Sequence, residues 1–134
     1  MRWLLDSNVV IALTDEAHEH HKVVEAWLTS VAQVATCPIT EGALVRYMVR
    51  KALPVTAIKL ILSDLAKYPG HEFWPDAIPY AAADLSQVIG HRQVTDAYLV
   101  ALVRHHGPTA RLATLDEGLA GLYPDAVTLV RVES

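Results

Sequence analysis

The chain has 134 residues, of which 52% are hydrophobic and 19% charged, which is typical of one folded domain and excludes an intrinsically disordered protein. Its formal net charge of −4 at pH 7 argues against a protein that grips nucleic acid through a broadly basic surface. The longest apolar runs are far shorter than the roughly 18–20 residues needed to cross a bilayer, and the N-terminus lacks a signal-peptide cleavage site. The single cysteine, Cys37, excludes an internal disulfide, so we expect a cytoplasmic protein with no membrane segment.

Strand and helix signals alternate along the first half of the chain. Residues 2–6 are a short buried strand candidate, and a helix is expected over residues 7–13. A polar loop at 15–21 precedes apolar residues that recur at helical spacing between Val23 and Val31. The remaining predicted elements of this half are a strand at 34–37, a helix at 40–52, and a helix capped by Thr56 that runs to residue 67.

The second half of the chain continues the alternation. The predicted elements are a strand at 71–74, a helix at 81–89 ending at Gly90, a helix at 96–105 capped by Thr95, a strand at 111–115, a helix at 116–122 and a strand at 127–132. Strands interleaved with helices favour an α/β fold, in which helices cover both faces of a central, mostly parallel sheet. We expect this three-layer α/β/α sandwich to form one domain over residues 1–134.

Four carboxylates stand beside apolar segments, where acidic side chains are least expected. They are Asp6, Glu41, Asp96 and Asp116, placed at predicted strand ends or helix starts. Taken singly, each has an ordinary explanation, because acids cap helices and oppose the helix dipole. In a parallel sheet, however, these positions share the edge at the carboxyl ends of the strands. Unit charges ~4 Å apart repel by roughly 4 kcal/mol at an effective dielectric of ~20, so gathered acids predict a divalent-metal site.

The blocks around these acids resemble those of a known protein family. In chain order they read LLDSNVVIAL, ITEGALVR, VTDAYLVALVRHHG and LATLDEGL. The ordered set is similar to PIN-domain ribonucleases, and more narrowly to VapC-type toxins of bacterial type II toxin–antitoxin pairs. The resemblance runs from Leu4 nearly to the C-terminus. It implies a PIN-like fold, a single PIN domain, and a metal-dependent endoribonuclease that hydrolyses RNA phosphodiester bonds to inhibit translation or growth.

The resemblance also assigns roles to the four acids. Asp6, Glu41 and Asp96 match the three principal catalytic acids of the family, and Asp116 matches a fourth, more variable one. We expect Asp6 and Asp96 to ligate Mg²⁺ directly, with Mn²⁺ able to substitute. Glu41 and Asp116 are expected to reach the cation directly or through water. The implied products carry a 5′-phosphate and a 3′-hydroxyl.

Supporting residues and partners follow from the same resemblance. Asn8 is expected to brace Asp6, and Thr114 to support the site as the small hydroxyl before the fourth acid. The implied partners are an RNA substrate, a VapB-type antitoxin that pushes a basic side chain into the acidic pocket, and a second copy of the chain in a homodimer. The sequence does not select among transfer, ribosomal and messenger RNA. Possible RNA contacts are Arg46, Arg50, His91 and Arg92.

Two other functions remain open on the sequence alone. One is a non-catalytic interaction module with a PIN-like fold. The other is a metal-dependent phosphatase of the haloacid-dehalogenase type, which also begins with an Asp after its first strand. That chemistry requires a second Asp two residues later, where this chain has Asn8. A histidine cluster, His18, His20 and His21, lacks a matching distant ligand pair, so a solvated loop is favoured over a zinc-type site.

Overall fold

Five parallel strands form one sheet in the computed structural model, which describes residues 1–131. The order across the sheet is β3-β2-β1-β4-β5. The strands are β1 Arg2–Leu5, β2 Val34–Thr36, β3 His71–Phe73, β4 Ala110–Thr114 and β5 Val127–Leu129. Because all five run in the same direction, their carboxyl ends lie along one edge. The predicted parallel α/β sheet is confirmed.

Helices cover both faces of this sheet and complete the three-layer arrangement. They are α1 Ser7–Thr14, α2 His21–Leu28, α3 Pro38–Arg50, α4 Val55–Ala66, α5 Val94–His105 and α6 Glu117–Leu122. Adjacent strand residues point to opposite faces, so Leu5 packs with α1 to α4 while Leu4 packs with α5 and α6. None of the helices within residues 1–131 combines the length and apolar character that a membrane span requires.

Helix α5 is the central element of its layer. Every residue from Ala97 to Val103 is buried, which explains why this segment reads as a continuous apolar run. At its far end, the carbonyl of His106 accepts a hydrogen bond of 2.7 Å from Nη2 of Arg2, at the start of β1. The helix therefore runs antiparallel to the strands, and its first turn, with Asp96, lies at their carboxyl ends.

The predicted helix at 81–89 is wrong. A single 3₁₀ turn, Tyr80–Ala82, is followed by irregular chain. The backbone N–H of Ser86 bonds to Oδ1 of Asp84 at 2.9 Å, a local turn that competes with helical hydrogen bonding. Ile89 is 91% exposed, so no apolar face is buried to stabilise a helix here.

Two predicted helix caps are also wrong. Helix α4 begins at Val55, with Pro54 as its N-cap, and the carbonyl of Pro54 accepts from the N–H of Ile58 at 3.1 Å. Thr56 therefore lies inside the first turn. Thr95 is likewise already helical, because α5 continues directly from a 3₁₀ turn at His91–Gln93. The predicted last strand shortens to Val127–Leu129, and residue 132 lies outside the described residues.

Candidate active site

Asp6 and Thr114 meet across two neighbouring strands. Asp6 follows β1 directly and caps α1, with its Oδ1 accepting the N–H of Ser7 at 2.8 Å. The register pairs Leu5 with Ala113, so the next residues, Asp6 and Thr114, lie side by side. Thr114 donates its hydroxyl proton to Oδ2 of Asp6 at 2.7 Å. Both side chains are buried, and these contacts fix the orientation of the Asp6 carboxylate.

The Thr114 hydroxyl is the centre of a small network. Besides donating to Asp6, its Oγ1 accepts from the N–H of Asp116 at 3.1 Å and from Nδ2 of Asn8 at 3.3 Å. Oδ1 of Asn8 in turn accepts from the N–H of Leu115 at 3.1 Å. Asn8 therefore reaches Asp6 through Thr114. Its amide is committed to these contacts.

Asp96 and Asp116 join Asp6 in one cluster, here called the aspartate cluster. Asp116 caps α6, with Oδ1 accepting from the N–H of Leu119 at 3.1 Å, and is exposed. Burial, and then the charges of Asp6 and Asp116, raise the pKa of Asp96 to about 6. Burial also raises the pKa of Asp6, an effect opposed by hydrogen bonds from Thr114 and Ser7 and reinforced by the charge of Asp116. The three carboxylates therefore repel one another at the carboxyl edge of the sheet.

Glu41 lies at the end of β2, the strand next to β1. It lies in the first turn of α3, and its Oε2 accepts a hydrogen bond of 2.6 Å from Oγ1 of Thr36, the last residue of β2. Among the described residues, the charges that raise the pKa values of Asp6 and Asp96 are those of the other aspartates. The structure thus gathers three of the four predicted acids, and places the fourth beside a neighbouring strand end.

A cavity of about 390 Å³ opens beside Asp96 and Asp116. Its other lining residues include Gln87, Gln93 and Tyr123. Oε1 of Gln93 accepts from the N–H of Ile89 at 2.6 Å, which leaves the amide NH₂ group as the donor available to a ligand. Sequence reasoning missed both glutamines, because lone amides carry no spacing signal and Gln87 falls in the predicted helix that does not form.

The carboxylate oxygens of the site suit a cation that keeps several of its waters better than a cation fully coordinated by protein. Within residues 1–131, no three His, Cys, Asp or Glu side chains converge closely enough to hold a metal ion by themselves. Mg²⁺ usually keeps several waters and binds proteins through one or two carboxylates. Asp6 and Asp96 supply such oxygens. Burial and the charges of Asp6 and Asp116 raise the pKa of Asp96, and a cation between the carboxylates would offset both effects.

The four predicted RNA contacts are all exposed but differ in their distance from the site. Nη1 of Arg46 lies 3.6 Å from the position that a Cβ on Gly42 would occupy, so the guanidinium folds back beside the turn that carries Glu41. His91 and Arg92 form the turn just before α5. Arg50 is nine residues beyond Glu41, about 13 Å along the axis of α3 at 1.5 Å per residue.

The histidine cluster makes local contacts within its own segment and with α1. Nδ1 of His18 accepts from the N–H of His20 at 3.1 Å, and Nε2 of His21 lies 3.3 Å from Oε2 of Glu25. Nδ1 of His21 is 2.8 Å from the carbonyl of Ala12, which ties the start of α2 to α1. His21 therefore joins α2 to α1, while the contact between His18 and His20 stays within the loop.

Comparison with known proteins identifies the relatives of this fold. The family model described as PIN domain matches residues 3–123. The chain is 47% identical over 131 residues to Ribonuclease VapC29 of Mycobacterium tuberculosis, a match that covers 97% of both chains. A solved FitAB complex bound to a DNA fragment is similar, with a TM-score of 0.69, 22% identity and 98% coverage of both chains. So is Mycobacterium tuberculosis VapC20, a sarcin–ricin loop cleaving toxin, with a TM-score of 0.62, 16% identity and coverage of 89% and 95%.

Proposed function

The chain belongs to the PIN-domain family, as a ribonuclease of the VapC toxin type, and we propose that it hydrolyses RNA at the aspartate cluster with a bound divalent metal ion. The observation that carries this proposal is the placement of Asp6, Asp96 and Asp116 at one edge of the sheet, where their charges repel one another. Such a cluster, alone, would repel the phosphates of RNA. A cation held by the cluster would turn this repulsion into attraction and make the edge of the sheet a phosphate-binding site.

We assign the metal as Mg²⁺, with Mn²⁺ as a substitute, and Asp6 and Asp96 as its direct ligands. When bound, it would polarise the scissile phosphate and lower the pKa of the attacking water. Asp6 presents a carboxylate whose orientation Thr114 and Ser7 fix. Asp116 is held by its cap to α6 and faces the cavity, so it is placed to bind a cation through water. Glu41, beside the end of β2, remains a proposed acid of the site that reaches the cation directly or through water.

The cavity beside Asp96 and Asp116 gives the substrate a place to sit. Its size and its amide donors suit a nucleotide next to the scissile phosphate, with Gln93 able to donate to an acceptor on that nucleotide. Arg46, His91 and Arg92 are exposed and are proposed to hold the flanking phosphates. The RNA target is set by how a loop presents its nucleotides to this cavity.

As partners we propose RNA, a VapB-type antitoxin and a second copy of the chain, acting in the cytoplasm. We further propose that residues 1–134 are a single PIN domain, since the family match covers residues 3–123. A phosphatase of the haloacid-dehalogenase type is disfavoured, because Asn8 stands where that chemistry requires Asp and its amide is bonded to Thr114 and Leu115.

Removal of the metal is the direct test of this function. Purified protein with excess Mg²⁺ or Mn²⁺ is expected to cleave structured RNA and leave a 5′-phosphate and a 3′-hydroxyl. Chelation with EDTA should stop the reaction, and added metal should restore it. The termini are read by ligation to adaptors that require a 5′-phosphate. Cleavage that persists in EDTA, or products with a 2′,3′-cyclic phosphate, would rule out the proposed chemistry.

Thr114→Val should lower the cleavage rate by about 10–100-fold, a typical effect of removing a group that orients a metal ligand. The substitution removes the donor to Asp6 and leaves the N–H of Asp116 and the amide of Asn8 without their acceptor. Thr114→Ser keeps the hydroxyl and is the matched control, expected to stay close to the wild-type rate. Equal rates for the valine and serine variants, measured at saturating metal, would show that the hydroxyl does not matter.

A further inference from the structure

A second hydrogen-bonded chain lies beside the aspartate cluster and includes two residues, Thr36 and His71, to which the sequence patterns assign no role. The Oγ1 atom of Thr36 is 2.6 Å from Oε2 of Glu41 and 2.8 Å from Nε2 of His71. Thr36 is completely buried, while Glu41 and His71 are partly exposed. The buried hydroxyl therefore links a carboxylate on α3 to an imidazole on the edge strand β3.

The direction of the two hydrogen bonds follows from counting protons. An ionised carboxylate only accepts, so Thr36 must donate its single hydroxyl proton to Glu41. With that proton committed, Oγ1 of Thr36 is an acceptor toward His71, and Nε2 of His71 must carry the hydrogen. The contacts thus place a hydrogen on Nε2 of His71, and the ring also hydrogen-bonds to the backbone carbonyl of Ala66.

The sheet register makes this arrangement possible. β2 pairs with β3 so that Val34 lies opposite His71 and Thr36 opposite Phe73. Alternate residues of a strand share a face, so the side chains of Thr36 and His71 meet on the same face as α3. Glu41 enters from α3, which begins two residues after Thr36. Residues 36, 41 and 71 are therefore brought together by strand pairing.

We propose that His71 is a positioning residue that acts through Thr36 to fix the orientation of the Glu41 carboxylate in the ribonuclease site. This inference rests on the proposed function. Because Oε2 of Glu41 accepts from Thr36, Oε1 is the oxygen that we propose reaches the cation or its waters. Without the donor at His71, Thr36 can rotate its hydroxyl, and Glu41 loses a fixed orientation. Loss of orientation of a metal-binding carboxylate lowers turnover more than RNA affinity.

The test uses His71→Leu, which removes the donor, and His71→Gln, whose amide can place an N–H near the position of Nε2. We expect His71→Leu to lower kcat by about 10–100-fold with little change in KM for RNA, and to weaken Mn²⁺ binding in calorimetric titrations. His71→Gln should recover most of the activity. In a Glu41→Gln background, His71→Leu should have no further effect, because the group it positions is already lost. The control is His105→Leu, which removes an exposed histidine at the end of α5 far from Asp96.

Each result bears on a specific claim. Multiplicative losses in the double variant, or a glutamine variant as impaired as the leucine variant, would overturn the positioning role. If His71→Leu does not fold by circular dichroism, the nearly isosteric Thr36→Val breaks the same chain at its middle link and must give the same kcat loss. Absence of cleavage by the wild-type protein would instead refute the proposed function. The Mn²⁺ titrations then still decide the inference, since equal binding by wild type and His71→Leu contradicts it.

Discussion

Asp6→Asn and Asp96→Asn are each expected to lower the rate of RNA cleavage by about 10³-fold or more, while the protein stays folded. Both residues are proposed direct ligands of the metal. A catalytic metal supplies several kcal/mol of charge stabilisation, and each 1.4 kcal/mol is about tenfold in rate. In Asp6→Asn, the amide oxygen of the new side chain can still accept from the N–H of Ser7, so the start of α1 should survive. Single-turnover cleavage of a labelled RNA at saturating Mg²⁺ measures the effect.

Asp64→Asn is the matched control for this experiment. It removes one carboxylate from an exposed position on α4 and makes the same change in net charge. We expect its cleavage rate to equal that of the wild type. The cleavage rate of Asp116→Asn should lie between that of the wild type and those of Asp6→Asn and Asp96→Asn, because Asp116 is exposed and is proposed to act through water. A folded Asp6→Asn or Asp96→Asn protein with the wild-type rate would remove these residues from the ligand set.

The aspartate cluster was accessible from the sequence because its members follow simple local rules. Asp6 and Asp116 come directly after apolar strands or in the loop that follows one, and Asp96 opens a helix whose next seven residues are buried. Once the strands are taken as parallel, the geometry of the sheet brings these three positions to one edge. The fold and this part of the site were therefore predictable from periodicity and strand order.

The link from Glu41 through Thr36 to His71 was not predictable in the same way. Its contact between Thr36 and His71 depends on the pairing of Val34 with His71, and a one-residue slip of β3 would turn His71 to the other face. No local pattern in a three-residue edge strand fixes that register.

The residues that line the cavity were missed for a different reason. The segment around Gln87 was predicted as a helix, but Leu85 and Ile89 stay exposed, so tertiary context overrides propensity.

In the absence of metal, the wild-type protein should lose stability relative to Asp96→Asn as the pH rises from about 4 to about 6.5. The pKa of Asp96 is raised from 3.8 to about 6 in the folded state. Between those values the folded chain binds more protons than the unfolded chain, so its stability falls as pH rises. We expect a difference of about 1 kcal/mol after solvent screening, because Asp96 is only half-buried, or about 3–5 °C in melting temperature for a chain of this size.

The direction of this pH dependence separates two roles for Asp96. An acid in the first turn of a helix is normally stabilised when ionised, by roughly 0.3–1 kcal/mol. If that effect dominated, Asp96→Asn would lose stability relative to wild type as the pH rises. Repulsion from Asp6 and Asp116 together with burial predicts the opposite slope. Thermal melts in EDTA between pH 4 and pH 7.5 distinguish the two, with Asp64→Asn as the reference.

Saturating Mn²⁺ should close the gap in melting temperature between the wild type and Asp96→Asn at pH 7.5, because the cation binds the wild-type cluster and offsets the repulsion that the substitution removes. A gap unchanged by Mn²⁺ would mean that Asp96 destabilises the fold without holding a metal.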